Sequence, residues 1–197
     1  MDKALIIKNL CELLLEDKKK DCIDFAMSNY PFANNPITKR CYSRYQMCRV
    51  FLRDGFIDRY SGDKLLFPRI IMILTIELPE IFKYHTNWKM SETHMAYWEL
   101  FPTIDHLVPV ARGVEDNENN WITTSMVRNS AKSNWTIEEL GWKLYNKGLL
   151  ENWDGLINCF LELTDKNPIY EKNGYINGWK TALLSIRDSI LHKKNQD

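Results

Sequence analysis

Helical spacing of apolar residues dominates this chain, and extended spacing is confined to one short stretch. Ile6, Ile7, Leu10, Leu13 and Leu14 fall on one side of a helix over residues 3–17, which Asp2 can cap. A lysine run at 18–20 follows, then a short helix around 22–28 and a loop over 30–36 punctuated by Pro31, Asn34, Asn35 and Pro36. Residues 37–53 read as a helix with Cys41, Tyr45, Cys48 and Leu52 on one face. Arg40 with Arg44, and Arg49 with Arg53, flank that stripe as i,i+4 pairs, and the segment holds no acid. Turns at Asp54-Gly55 and Ser61-Gly62-Asp63 lead to an apolar helix over 69–82 that Pro79 kinks or ends. Ser91 caps an expected helix running to about 100. Residues 101–107 look extended, 111–120 form a polar loop, and the β-branched and aromatic run 121–124 supplies a return strand. A helix follows over 125–134, a capping box at Thr136 and Glu139 starts the next, and another runs from Asp154 to before Pro168. The last helix carries Ile176, Trp179, Leu183, Ile186 and Ile190 on one stripe, a pattern for a core or a dimer face. The pattern predicts an α+β fold, mostly α, with one β hairpin at 101–124.

Composition narrows the class. The chain has 197 residues with 26 basic and 26 acidic side chains, enough length to bury a core without staples. At 45% apolar and 12% aromatic it is globular rather than disordered. The greasiest stretch, 70–76, is too short to cross a membrane, which takes about 20 residues. The beginning of the sequence lacks a signal-peptide pattern. Five cysteines without a Cys-x-x-Cys pair read as reduced thiols, so a cytoplasmic protein is expected. Zero formal charge argues against a polybasic coat but permits a local basic patch.

The chemistry concentrates in Asp105-His106, Pro109, Asn120, Asn129 and Lys132. In a strand, Asp105 and His106 point to opposite sides, and a helix after the hairpin can return Asn129 beside Asp105. A carboxylate and an amide oxygen are hard ligands that suit Mg²⁺ or Mn²⁺. His106 suits a general base acting on water. Lys132, three residues after Asn129, shares its helical face and is expected to contact a phosphate. Asn120 is expected to brace the loop and keep His106 aimed. His85 and His94 fall in aromatic surroundings and read as packing groups.

This constellation resembles the HNH family of nucleases, whose pattern is Asp-His-x-x-Pro, an Asn fourteen residues after the His, a His or Asn nine further on, and often a Lys three later. Asp105, His106, Pro109, Asn120, Asn129 and Lys132 match it position by position. Arg53-Asp54-Gly55-Phe56 and Gly62 match the segment that precedes the hairpin in the family. Many relatives carry a structural zinc on two Cys-x-x-Cys pairs. The corresponding positions here are Asp58, Ser61, Ser125 and Arg128, so no structural zinc is expected. Packing by Trp98, Phe101, Trp121 and Trp135, with an Asp58–Arg128 ion pair, is expected in its place. Val114 stands where the family usually has the second glycine of a pair.

The resemblance covers residues 51–135. It implies a ββα-metal nuclease core flanked by a helical N-terminal segment at 1–50 and a helical C-terminal segment at 136–197. It also implies Mg²⁺ or Mn²⁺ on Asp105 and Asn129, with His106 as general base. Asn120 and Lys132 support them, and the products are 5′-phosphate and 3′-hydroxyl ends. The implied substrate is DNA, double-stranded, with Arg40, Arg44, Arg49, Arg53 and Arg112 as candidate backbone contacts. The large helical flanks favour a restriction- or defence-like endonuclease, acting as a homodimer for a double-strand cut. The alternatives are a nonspecific or structure-specific nicking nuclease and a non-catalytic DNA-binding module on the same fold.

Overall fold

A computed structural model describes residues 2–32 and 41–194, with side chains to 188. The chain divides into two compact units, Met1–Lys39 and Arg40–Asp197. Arg40, half of one expected arginine pair, lies outside the described residues.

The first unit is a helical hairpin. Helix α1 (Lys3–Leu15) starts where the Asp2 side chain accepts the Ala4 amide at 2.9 Å. The chain reverses at Asp17, whose φ is +57°, and the Lys18 amide reaches the Leu13 carbonyl. Helix α2 (Lys19–Asn29) follows, so the lysine run opens a helix instead of ending one. Ile6 and Cys22 are buried between the two, whereas Ile7 and Leu14 are exposed.

The second unit opens with α3 (Arg44–Arg53). It starts later than the apolar spacing predicts because Ser43 and Gln46 form a complete capping box. That start changes the buried face: Cys48, Val50 and Phe51 go inside, and Cys41 and Tyr45 stay exposed. Helix α4 (Ile70–Glu77) ends before Pro79, as the proline dictates. The helix expected from Ser91 shrinks to α5 (Ala96–Glu99). Trp88, at φ +52°, packs its ring edge-to-face on Tyr97, Trp98 and Phe101, and the turns that seat it displace the helical path.

Strands β1 (Pro102–His106) and β2 (Trp121–Ser125) pair antiparallel, with Asp105 opposite Ile122 and His106 opposite Trp121. Ser125 then caps α6 (Met126–Lys132). The Thr136–Glu139 box forms its reciprocal hydrogen bonds but yields only one turn, closed at Gly141. Helices α7 (Ile157–Lys166) and α8 (Gly174–Lys194) complete the unit. Ile176, Trp179, Leu183 and Ile186 of α8 are buried. Trp179 meets Phe51 of α3 in a stack 6.1 Å between centroids and Phe67 edge-to-face at 5.9 Å. The fold is α+β, mainly helical, with one two-stranded sheet among the described residues. No described helix is long and apolar enough to cross a membrane.

Asp54 joins α3 to the hairpin. Fully buried, it takes Arg53 on both oxygens and the Thr123 amide at 2.9 Å. Gly55 beside it has φ +65°, and a Cβ there would sit 2.4 Å from the Gly148 carbonyl. The Arg-Asp-Gly stretch is thus a structural joint between α3, β2 and the segment at 148.

Candidate active site

The four positions that would hold zinc in the resembled family are occupied by a hydrogen-bond network centred on Asp58. Its carboxylate, 1% exposed, accepts from the Tyr60 amide, the Thr124 hydroxyl and the Ser125 amide at 2.8–3.0 Å. Charge-assisted bonds of this kind are roughly twice as strong as neutral ones. They fix the turn at 58–62 to the end of β2. The expected Asp58–Arg128 ion pair does not form; Arg128 lies over the Trp142 ring instead, 5.7 Å from its centroid. Of the expected aromatic braces, Trp121 is buried, while Trp135 is exposed.

That turn delivers Tyr60 to Asp105. The Tyr60 hydroxyl donates to Asp105 Oδ2 at 2.6 Å, and Lys132 Nζ pairs with the same oxygen at 2.9 Å. Burial, reinforced by the Asp105 charge, pushes the Tyr60 pKa far up, so the phenol remains a donor. Lys132 is fully buried and also donates to the His106 carbonyl at 2.8 Å. The expected phosphate contact is therefore corrected: the ammonium is committed inside, because α6 packs its last turn against β1. Asn129, one turn earlier, donates Nδ2 to the Ile104 carbonyl at 3.2 Å, which leaves its Oδ1 as the other end of the amide.

His106 points to the opposite side of β1, is 2% exposed, and meets three side chains that sequence reasoning did not single out with it. Nε2 lies 2.7 Å from Asp116 Oδ1 and 3.2 Å from the Tyr42 hydroxyl, and Trp121 Nε1 donates to the same Asp116 oxygen at 2.6 Å. Burial raises the Asp116 pKa, but the hydrogen bonds from His106 and Trp121, the His106 charge and the Tyr42 hydroxyl outweigh it and leave it below its ordinary value. An ionised carboxylate only accepts, so His106 Nε2 carries a proton, and in the neutral ring Nδ1 holds the lone pair. Asn120 closes the loop that supplies Asp116: its Oδ1 accepts the Val108 amide at 2.9 Å and its Nδ2 donates to the Val108 carbonyl at 2.8 Å.

The arginines mostly serve the fold. Arg53 is spent on Asp54 and on the Glu118 and Trp121 carbonyls, which removes it from the DNA-contact set. Arg49 pairs with Glu118 at 3.3 Å, and Arg112 pairs with both oxygens of Glu139 at 2.9–3.0 Å. Arg44 is exposed and runs along Gly178 of α8. Among the described residues no group of three or more His, Cys, Asp or Glu side chains is arranged to hold a metal ion. A cation here would instead draw on the mixed pair Asp105 and Asn129. Asp105 Oδ1 and Asn129 Oδ1 accept no hydrogen bond among the described residues. Two free hard oxygens fit Mg²⁺ or Mn²⁺ with water completing the shell.

No protein-family model matches this chain, and no curated protein matches it.

Proposed function

We propose that this chain is a metal-dependent HNH endonuclease that hydrolyses DNA phosphodiester bonds, with β1, β2 and α6 as its ββα-metal core. One observation carries the reading: Asp105, His106, Asn129 and Lys132 are gathered at one end of the hairpin. Asp105 and Asn129 would hold the cation. When bound, it would stabilise charge on the phosphate and on the departing 3′ oxygen.

The chain's own groups do the rest. Asp116 holds His106 Nε2–H, fixes the tautomer, and offsets the imidazolium charge once Nδ1 takes a proton from the attacking water. Lys132 and Tyr60 hold Asp105 Oδ2, which aims Oδ1 outward as the free ligand. Asn120 holds the loop closed beneath His106. One such centre cuts one strand, so a restriction-like double-strand break requires a homodimer or two successive nicks.

A second reading, a non-catalytic DNA-binding module, draws on the internal partners already bound to Asp105 Oδ2 and His106 Nε2. Supercoiled plasmid incubated with the protein in Mg²⁺, Mn²⁺ or EDTA separates the two. Cleavage that EDTA abolishes, and that His106→Ala removes while DNA binding persists, supports the nuclease. Discrete bands mean a site-specific cutter, and nicked circles mean a nicking enzyme. Intact DNA in every condition, with binding that ignores metal, supports the module.

A further inference from the structure

Beside the Asp105 site lies a cleft of about 430 Å³ that no step above uses, lined by Tyr60, Asp63, Arg128, Trp142, Lys143 and Tyr145 among others. It is built, not incidental. The Tyr145 amide donates to the Arg59 carbonyl at 2.8 Å, and Arg59 Nε returns a bond to the Tyr145 carbonyl at 2.6 Å. Gly62, at φ +81°, lets the Tyr145 ring approach to where a Cβ would be 2.7 Å from it. The segment after α6 is therefore locked against the turn at 58–62. Three aromatic rings and two cations converge there: Tyr60 on Trp142 at 5.5 Å, Arg128 over Trp142, and Lys143 over Tyr145 at 4.5 Å. Among the described residues neither Arg128 nor Lys143 forms an ion pair, and Asp63 is the one acid in the lining. Tyr60 is shared: its ring lines the cleft and its hydroxyl holds Asp105.

We propose that this cleft is a nucleotide subsite of the nuclease, taking an unpaired base of a DNA strand against Trp142 and Tyr145 and its phosphate on Arg128 and Lys143. The inference rests on the nuclease reading and sharpens its substrate class. A base can lie on an aromatic ring only after leaving its own stack, so the preferred DNA has a single-stranded or distorted stretch next to the cut. Asp63 is then positioned to accept from a base amino group.

Binding in EDTA tests the subsite without cleavage. The probes are a labelled 12-nucleotide single strand and a blunt duplex of the same sequence. The wild-type chain should bind the single strand more tightly. Trp142→Leu should lose about tenfold on the single strand alone, the scale of one stacked base. Arg128→Gln with Lys143→Gln should lower the salt slope of single-strand binding by about 1.4. If Trp142→Leu does not fold, the double glutamine variant decides. Single-strand binding by these variants within twofold of wild type, or equal wild-type affinity for duplex, overturns the subsite. Such a result with metal-dependent cleavage intact leaves the nuclease reading standing. The expected binding pattern with no cleavage under any metal overturns the nuclease reading and keeps a nucleotide-binding cleft.

Discussion

At the scale of single residues, the site is a set of charges held by neighbours. Lys132 and Asp105 form an ion pair with side-chain exposures of 0% and 8%. Removing one partner leaves an uncompensated buried charge, so Lys132→Met should destabilise the fold by about 3 kcal/mol or more. Adding Asp105→Asn should return part of that loss. Urea unfolding of the two single variants and the double variant gives the coupling, and purely additive losses would deny the pair. Asp116 sets a pH dependence. Its folded pKa lies below the ordinary 3.8, so near that pH the unfolded chain binds more protons than the folded one. Its contribution is complete above about pH 4 and is lost as pH falls through the folded value. Asp116→Asn should lower the urea midpoint near neutrality and make its acid-side decline shallower than that of the wild type. Equal slopes in the two proteins would place the depressed carboxylate elsewhere.

At the scale of elements, the hairpin and its following helix were readable because each signal is local: alternation at 101–107, β-branching at 121–124, a serine cap at Ser125. The longer segments were readable only in part, because tertiary contacts decide where they start. Ser43 and Gln46 moved the start of α3, and Trp88 consumed the helix expected after Ser91. Asp105, Asn120 and Asn129 came from spacing. Tyr60 and Asp116 did not, because each reaches the site through a turn whose fold no periodicity encodes. The turn at 54–62 is the element on which the site depends most. Gly55→Ala should be severely destabilising, since the left-handed conformation alone costs roughly 1–2 kcal/mol and the Cβ would overlap the Gly148 backbone. Asp58→Ala strips three acceptor contacts from buried donors and should cost about 3 kcal/mol. Because hydrogen bonding occupies the zinc positions, metal analysis of the purified protein should find no stoichiometric zinc. One zinc retained per chain through dialysis would show that Asp58 serves a metal instead.

At the scale of the molecule, the two units differ in what they can bury. The hairpin of α1 and α2 hides Ile6 and Cys22 but leaves Leu5, Leu15, Met27 and Phe32 at 51–90% exposure. Two helices enclose too little apolar area to offset the entropy of ordering them, so their cooperativity alone is low. The second unit owns both apolar clusters, and every residue of those clusters lies at or beyond Tyr42. The Asp54, Asp58, Asp105 and His106 networks likewise use only residues from Tyr42 onward. A chain beginning at residue 41 should therefore keep the same cooperative thermal transition, within a few degrees, and the same DNA cleavage per active site. The expectation can be checked by calorimetry and plasmid nicking on the truncated and full chains side by side. A truncated protein that folds but no longer cuts would assign α1 and α2 to DNA or to a second copy. One that fails to fold would refute the independence of the second unit, and with it the claim that its core is complete without them.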